Sequence, residues 1–177
     1  DILGNANRLA PTATAQSKSL AFGATQALTL AGTDTNSPTG APLSFTVSTP
    51  PSHGTLSGIP PSVSYTPALG YSGTDNFAFT ATNLYGITSS PATVGLTIAA
   101  GPPVATPKSV TVAPDTPTAV TLTGTDPNIP PLSLSFTNIS SPAHGTLSGT
   151  APNLTYTPAV GYTGSDSFTF TVNNGVA

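Results

Sequence analysis

The sequence predicts an all-β fold of two tandem antiparallel β-sandwiches, the second of which lacks its last strand. Three observations lead to this prediction: a long internal repeat, apolar residues that alternate with polar ones, and a composition poor in helix formers. The 177-residue chain contains no glutamate, and 17 glycines and 20 prolines interrupt it. Thr, Val, Ser and Phe are frequent, which suits strands separated by turns.

An internal repeat divides the chain into two copies. From His53 the sequence reads HGTLSGIPPSVSYTPALGYSGTDNFAFTATN, and from His144 it reads HGTLSGTAPNLTYTPAVGYTGSDSFTFTVNN. The offset between them is 91 residues (53 to 144), and it becomes 92 further upstream, where LTLAGTD at Leu28 matches VTLTGTD at Val120. A period this long indicates two globular modules rather than a solenoid. The predicted division is residues 1–10 as a linker or donated strand, 11–100 as the first module and 101–177 as the second.

Within each copy the apolar residues recur with a period of two. Phe77, Phe79 and Ala81 alternate with Ala and Thr, and the second copy repeats the pattern as FTFTV. Such alternation is typical of antiparallel strands with one buried and one solvated face. Turn residues recur about every 8–12 positions, so each copy is predicted to hold roughly seven strands in an immunoglobulin-like sandwich.

Two fifteen-residue stretches resemble a known family. YTPALGYSGTDNFAF and YTPAVGYTGSDSFTF are similar to the signature of bacterial immunoglobulin-like and cadherin-like repeats. The resemblance covers the chain from Pro11 onward. It implies tandem modules of large secreted or surface-attached bacterial proteins, such as adhesins and biofilm-matrix proteins, and therefore an extracellular or cell-surface location.

The composition excludes several classes of function. Without cysteine there is no disulfide framework and no cysteine nucleophile. Three basic residues cannot neutralise a phosphate backbone, so we expect no nucleic-acid partner. No apolar run approaches the ~18 residues of a membrane span, so we expect no membrane insertion. A base placed beside a nucleophile is not apparent either, and we expect no enzymatic activity.

Asp34 and Asp126, each directly after a predicted strand, suggest calcium. With the nearby amides they give the candidate ligands Asp34, Asn36, Asp126 and Asn128. Cadherin-like relatives bind calcium through clustered carboxylates at domain ends, which the resemblance extends to these residues. Calcium takes six to eight oxygen ligands, whereas each cluster offers one carboxylate and one amide. The alternative is an Asx turn, in which the aspartate accepts nearby backbone N–H groups. We expect no other cofactor.

The remaining aspartates of the repeat are predicted to be structural. Asp75 and Asp166 precede the phenylalanine strands in the pattern G-x-D-x-F, where a carboxylate can cap backbone amides, with Tyr71 and Tyr162 packed nearby. His53 and His144 lack metal-ligand spacing. They are predicted to be turn residues beside glycines of positive φ.

The second copy stops before a counterpart of PATVGLTIAA, which should close the first sandwich beside its phenylalanine strand. The predicted consequence is an open apolar slot along Phe168, Phe170 and Val172. Three sources of the missing strand stay open: a longer chain, another copy that donates a strand by β-augmentation, or a domain that tolerates a frayed edge. Donation would use residues 1–10, where Ile2 begins a weak apolar alternation.

These observations predict a structural or adhesive extracellular module, acting as a spacer, stalk or filament subunit and assembling head-to-tail by strand complementation. Its expected partners are neighbouring copies of the chain or adjacent repeats of a longer one, together with a cell-surface or matrix ligand. The alternative is an accessory carbohydrate- or receptor-binding module of a larger secreted protein.

Overall fold

The structure, a computed structural model, describes residues 9–35 and 41–176. The chain divides into two compact units, unit 1 up to Ala100 and unit 2 from Gly101. All regular elements of the described residues are β-strands, which confirms the predicted all-β class. Ile2 and Asn36, two residues with predicted roles, lie outside the described residues.

Unit 1 contains nine strand segments rather than the seven predicted, because two of its edge strands are interrupted. In chain order they are β1 (Thr12–Ala13), β2 (Gln16–Leu20), β3 (Gln26–Thr29), β4 (Gly32–Thr33), β5 (Ser44–Thr49), β6 (Gly54–Ile59), β7 (Ser62–Pro67), β8 (Gly73–Thr82) and β9 (Ala92–Ile98). They form a four-stranded sheet in the order β2-β9-β8-β5, a three-stranded sheet β3-β7-β6 and the pair β1-β4. Strand β9 is therefore an interior strand, parallel to β2 and antiparallel to β8.

The core of unit 1 follows from the alternation in the sequence. Tyr65, Phe77, Phe79 and Val94 are completely buried, and they come from alternate positions of β7, β8 and β9. Because successive side chains of a strand point to opposite faces, the intervening Ser, Thr and Asn face outward. Strand β9 places Ala92, Val94, Leu96 and Ile98 in this core, each at most 8% exposed.

Unit 2 contains seven strands in the described residues. They are β10 (Val104–Thr106), β11 (Thr118–Thr121), β12 (Thr123–Thr125), β13 (Ser135–Thr137), β14 (Gly145–Thr150), β15 (Asn153–Pro158) and β16 (Thr171–Asn173). The sheet β11-β15-β14 corresponds to β3-β7-β6 of unit 1, and the pair β10-β12 corresponds to β1-β4.

The four-stranded sheet is reduced in unit 2 to the pair β13-β16. Residues 108–112 match β2 at the offset of 92, and residues 164–170 match most of β8 at the offset of 91, yet neither segment belongs to a strand of the described residues. Within the described residues, neither segment has a ladder partner at the position that β9 occupies between β2 and β8 in unit 1.

The glycine after each histidine is required by close packing and not by a positive φ. Gly54 and Gly145 are not among the residues of positive φ, so the prediction for the histidine turns was wrong on this point. A Cβ at Gly54 would lie 2.5 Å from the ring of Tyr65, and one at Gly145 would lie 2.6 Å from the ring of Tyr156. The repeated HGTLSG motif therefore lets a tyrosine ring pack directly against the backbone of the neighbouring strand.

Candidate functional site: an open strand position in unit 2

Unit 2 contains a groove of about 480 Å³. Residues 106–110 and Val112 form one wall, and residues 164–168 and Phe170 form the other. Val120, Leu122 and Tyr156 contribute apolar and aromatic surface to the lining. The groove is thus bounded by the counterparts of β2 and β8.

The position of this groove corresponds to that of β9 in unit 1. In unit 1, β9 pairs with β2 on one side, where Gln16 lies opposite Val94, and with β8 on the other, where Phe77 lies opposite Val94. The counterparts of Gln16 and Phe77 are Lys108 and Phe168, one on each wall of the groove. The groove is therefore an unfilled strand position, as the repeat offset predicts.

The exposure of the lining residues shows the effect of the missing strand. Phe77 and Phe79 are completely buried in unit 1, whereas their counterparts Phe168 and Phe170 are half-buried. Val110 on the opposite wall is 39% exposed. Apolar surface that unit 1 buries against β9 is open to solvent in unit 2.

The groove is lined by two of the four residues that were predicted to mediate assembly. Phe168 and Phe170 lie along one wall. Val172 lies instead in β16, opposite Phe136 of β13, and is held there by a ladder of its own. The fourth residue, Ile2, lies outside the described residues.

The carboxylate of Asp75 connects the start of β8 to the loop before β6. One oxygen accepts hydrogen bonds from the N–H groups of Ser52 (3.0 Å) and Asn76 (2.8 Å). The other accepts from the N–H of His53 (3.0 Å) and the hydroxyl of Tyr65 (2.8 Å). Burial acts to raise the pKa of Asp75, but these four hydrogen bonds outweigh it and hold the pKa below its usual value.

Asp166 makes the same contacts in unit 2 at the border of the groove. Its oxygens accept from the N–H groups of Ala143, His144 and Ser167, each at 2.9 Å. The hydroxyl of Tyr156 donates to it at 2.9 Å. Both carboxylates thus cap backbone amides at a corner between loop and strand.

The tyrosines predicted to pack near these aspartates support the same corner. Tyr71 stacks on His53 with the ring centroids 4.2 Å apart, and Tyr162 stacks on His144 at 4.1 Å. The hydroxyl of Tyr71 donates to the carbonyl of Thr74 at 2.6 Å. The sequence alone indicates neither the tyrosine partners of the histidines nor the hydrogen bonds from the hydroxyls of Tyr65 and Tyr156 to the aspartates.

Two candidate calcium ligands, Asp126 and Asn128, meet in a hydrogen-bonded cluster of unit 2. One oxygen of Asp126 accepts from the N–H of Asn128 at 2.9 Å, which is an Asx turn, and from the side-chain amide of Asn128 at 2.8 Å. Its other oxygen accepts from the amide of Asn174 at 2.8 Å. Both asparagine amides also donate to the carbonyl of Gly101, so the cluster ties the first residue of unit 2 to its last turn.

The hydrogen bonds of this cluster stabilise the charged form of Asp126. Partial burial acts to raise the pKa, but donors on Asn174, Asn128 and Leu132 outweigh it and lower the pKa to about 2. Asn128 itself is 2% exposed, and its side-chain oxygen accepts from the N–H of Gly101 at 2.9 Å. Asp34, the counterpart in unit 1, directly follows β4.

Each repeat also matches a family model. Residues 7–97 and residues 100–177 match the model described as bacterial Ig domain. The chain belongs to this family. Comparison with the curated proteins gives no match.

Several solved structures are similar to this pair of bacterial Ig domains. An endo-fucoidan hydrolase of glycoside hydrolase family 107 has 19% identity and a TM-score of 0.42, over 94% of this chain and 27% of that chain. Drosophila N-cadherin EC1–4 has 8% identity and a TM-score of 0.39, over 94% of this chain and 47% of that chain. The D00–D0 domain of intimin has 13% identity and a TM-score of 0.37, over 93% and 98%. The chain thus spans less than half the length of the hydrolase and of the cadherin.

The described part of the chain contains no helix that is long and apolar enough to cross a membrane. Within residues 9–35 and 41–176, no three His or Asp side chains are grouped so that they could hold a metal ion.

The calcium site stays a prediction that thermal melting tests. Because N–H donors already occupy both oxygens of Asp126, calcium would have to displace them, and an Asx turn explains the cluster without a metal. We expect the melting temperature to be the same in millimolar calcium and in chelator. A rise with calcium that disappears in Asp126→Asn would show instead that the Ig domain binds the ion.

Acid should destabilise these Ig domains. A carboxylate with a lowered folded-state pKa stabilises the fold at pH values above its unfolded pKa, and this stabilisation is lost as the pH falls towards the folded value. For Asp126 the two values are 3.8 and about 2, and the pKa values of Asp75 and Asp166 are shifted in the same direction. The melting temperature should therefore change little from about pH 7 to 5 and fall below about pH 4. An Asp126→Asn variant should lose less stability in unit 2 over this acid range than the parent chain, and an equal loss would contradict the assignment.

Proposed function

We propose that the chain is an extracellular structural module without catalytic activity, a spacer, stalk or filament subunit of a bacterial surface or matrix protein. Its second Ig domain is completed by a strand that a neighbouring copy or an adjacent repeat supplies, so that modules connect head-to-tail. The observation that carries this proposal is the groove between residues 107–112 and 164–170, at the position that β9 fills in unit 1.

The free energy associated with this position supports assembly. In unit 1, β9 buries Val94, Leu96 and Ile98 almost completely. Complete burial of such a side chain contributes about 1.5–3 kcal/mol, so three contribute roughly 5–9 kcal/mol. That is comparable with the whole stability of a small domain, about 5–15 kcal/mol. A strand that fills the groove would therefore stabilise unit 2 strongly.

The low charge of the chain also favours contact between strands. Soluble β-proteins protect exposed edges with lysine or with inward-pointing charges, and only 5% of this chain is charged. A head-to-tail contact that does not close on itself propagates into a filament. Because few charges are available to be screened, we expect the assembly to depend weakly on salt.

Three aspartates and both histidines, residue types that enzymes often use, are engaged in structural contacts. The carboxylates of Asp75, Asp126 and Asp166 accept hydrogen bonds from backbone or amide N–H groups, and both histidines stack on tyrosines. The large apolar side chains that are mostly exposed in the described residues are aliphatic, such as Leu69 and Val160. Sugars and receptors are usually bound by exposed aromatic rings, so the exposed surface favours the structural role over the accessory binding module.

Sedimentation velocity over a range of protein concentrations tests the proposal. We expect oligomers that grow with concentration, with similar distributions at low and high salt. The variant Phe168→Asp places a charge in the groove and should reduce the chain to monomers. The matched control is Thr163→Asp, at an exposed position outside the groove lining, and it should assemble normally. A parent chain that stays monomeric at every concentration would overturn the head-to-tail proposal.

A further inference from the structure

We propose that the groove selects its occupant by sequence pattern and direction. The occupant is an extended polypeptide segment of the β9 type, with the pattern Ala-x-Val-x-Leu-x-Ile. It lies antiparallel to residues 164–170 and parallel to residues 107–112. This inference rests on the proposed function and adds the chemistry and register of the donated strand.

The register follows from the pairs that β8 and β9 make in unit 1. There Phe79 lies opposite Ala92, Phe77 opposite Val94, Asp75 opposite Leu96 and Gly73 opposite Ile98. The offset of 91 converts the β8 residues into Phe170, Phe168, Asp166 and Gly164, all of which line the groove. The occupant therefore places Ala, Val, Leu and Ile opposite these four residues in that order.

The remaining ladders of unit 2 support this transfer of register. Val104 pairs with Thr125 as Thr12 pairs with Thr33. Likewise Leu147 pairs with Tyr156, as Leu56 pairs with Tyr65 in unit 1. Since the ladders that unit 2 retains keep the registers of unit 1, the groove should accept the same strand in the same register.

The two ends of the groove differ in the size of the residues that line them. This difference sets the direction of the occupant. Phe170 packs against Phe136 with ring centroids 6.0 Å apart, as Phe79 packs against Phe45 in unit 1. In unit 1 the residue opposite this aromatic pair is the small Ala92. At the other end, the large Ile98 lies opposite Gly73, the counterpart of Gly164. A strand of reversed sequence would place isoleucine at the aromatic pair and alanine at the glycine, which overfills one end and leaves the other empty.

A peptide experiment tests pattern and direction together. The probe is PATVGLTIAA, the sequence of residues 91–100, added to the full chain at concentrations at which sedimentation shows monomers. The matched controls are the reversed sequence, which has the same composition, and a peptide with the leucine replaced by aspartate. We expect calorimetry to show binding of the probe, with either control at least about tenfold weaker. Where oligomers persist at every concentration, the probe should shorten them and the controls should not.

Nuclear magnetic resonance of the bound complex locates the strand. The valine methyl groups of the probe should contact the ring of Phe168, and the probe's alanine before that valine should contact the ring of Phe170. The variant Phe168→Asp should lose binding, and Thr163→Asp should keep it. Equal binding of the forward and reversed peptides, or contacts in another register, would overturn the inference.

A third peptide, DILGNANRLA, corresponds to residues 1–10 and tests donation by the start of a second copy. It lacks the Ala-x-Val-x-Leu-x-Ile pattern, and we expect it to bind at least about tenfold more weakly than the probe. If DILGNANRLA bound more tightly than the probe, the proposed Ala-x-Val-x-Leu-x-Ile pattern would be overturned. The same result would support head-to-tail donation by the start of a second copy. Binding of PATVGLTIAA to a chain that never self-assembles would support the pattern and contradict the head-to-tail proposal, so the two can fail separately.

Discussion

Replacing Phe77 with alanine should destabilise unit 1 by about 3–5 kcal/mol, the usual cost of removing a buried phenylalanine ring. Phe77 is completely buried and lies opposite Val94 of β9. The equivalent change in unit 2, Phe168→Ala, should cost clearly less in the monomer, because Phe168 is half-buried beside the open groove. Denaturant unfolding with a probe in each unit measures the two losses separately, as a two-domain protein requires.

Phe77 and Phe168 occupy the same place in the repeat, so each variant serves as the control for the other. When the PATVGLTIAA peptide fills the groove, the cost of Phe168→Ala should rise towards that of Phe77→Ala. Equal losses in the unassembled chain would contradict the view that unit 2 lacks a strand in its core.

The variant Asp75→Asn should destabilise unit 1 by about 2–4 kcal/mol, since hydrogen bonds to a charged group contribute about 1.5–3 kcal/mol each. Asp75 is 5% exposed, and its carboxylate accepts from three backbone N–H groups and from Tyr65. An asparagine amide has one acceptor oxygen instead of two, and its NH₂ group would face donors. Thermal or denaturant unfolding of unit 1 measures the loss.

Two further variants separate the contributions at this corner. Tyr65→Phe removes only the hydroxyl that donates to the charged carboxylate of Asp75, and it should cost about 1.5–3 kcal/mol. Asp166→Asn makes the same change in unit 2, where the carboxylate is half-exposed, and should cost less than Asp75→Asn. A loss below about 1 kcal/mol in Asp75→Asn would show that the corner does not depend on the carboxylate.

Most of the fold could be predicted from the sequence because the alternation of apolar and polar residues is strong and recurs in both copies. The alternation of Phe77, Phe79 and Ala81 predicted a half-buried strand, and β8 is that strand. The offset of 91 predicted an open slot beside Phe168, and the groove lies there. Such patterns are local, and they need no knowledge of which distant residues meet.

The hydrogen-bond partners could not be predicted, because they depend on contacts between distant parts of the chain. The hydroxyl of Tyr65 reaches Asp75 only once β7 and the start of β8 are packed together. Asn174 reaches Gly101 across 73 residues, and nothing local to either residue indicates it. The motif YTP and the residue Asn83 recur in the second copy as Tyr156 and Asn174. This recurrence indicates that the two residues matter for the fold, but it does not indicate their hydrogen-bond partners.

Amide hydrogen exchange of the monomeric chain tests the open strand position most directly. Thr169 donates its N–H to the hydroxyl of Ser140 at 2.8 Å, and neighbouring N–H groups of an extended chain point to opposite sides. The N–H groups of Phe168 and Phe170 should therefore face the groove. We expect these two amides to exchange much faster than those of Phe77 and Phe79, and to become protected when a strand binds. Equally slow exchange at all four positions in the unbound monomer would show that unit 2 already has its full set of strands.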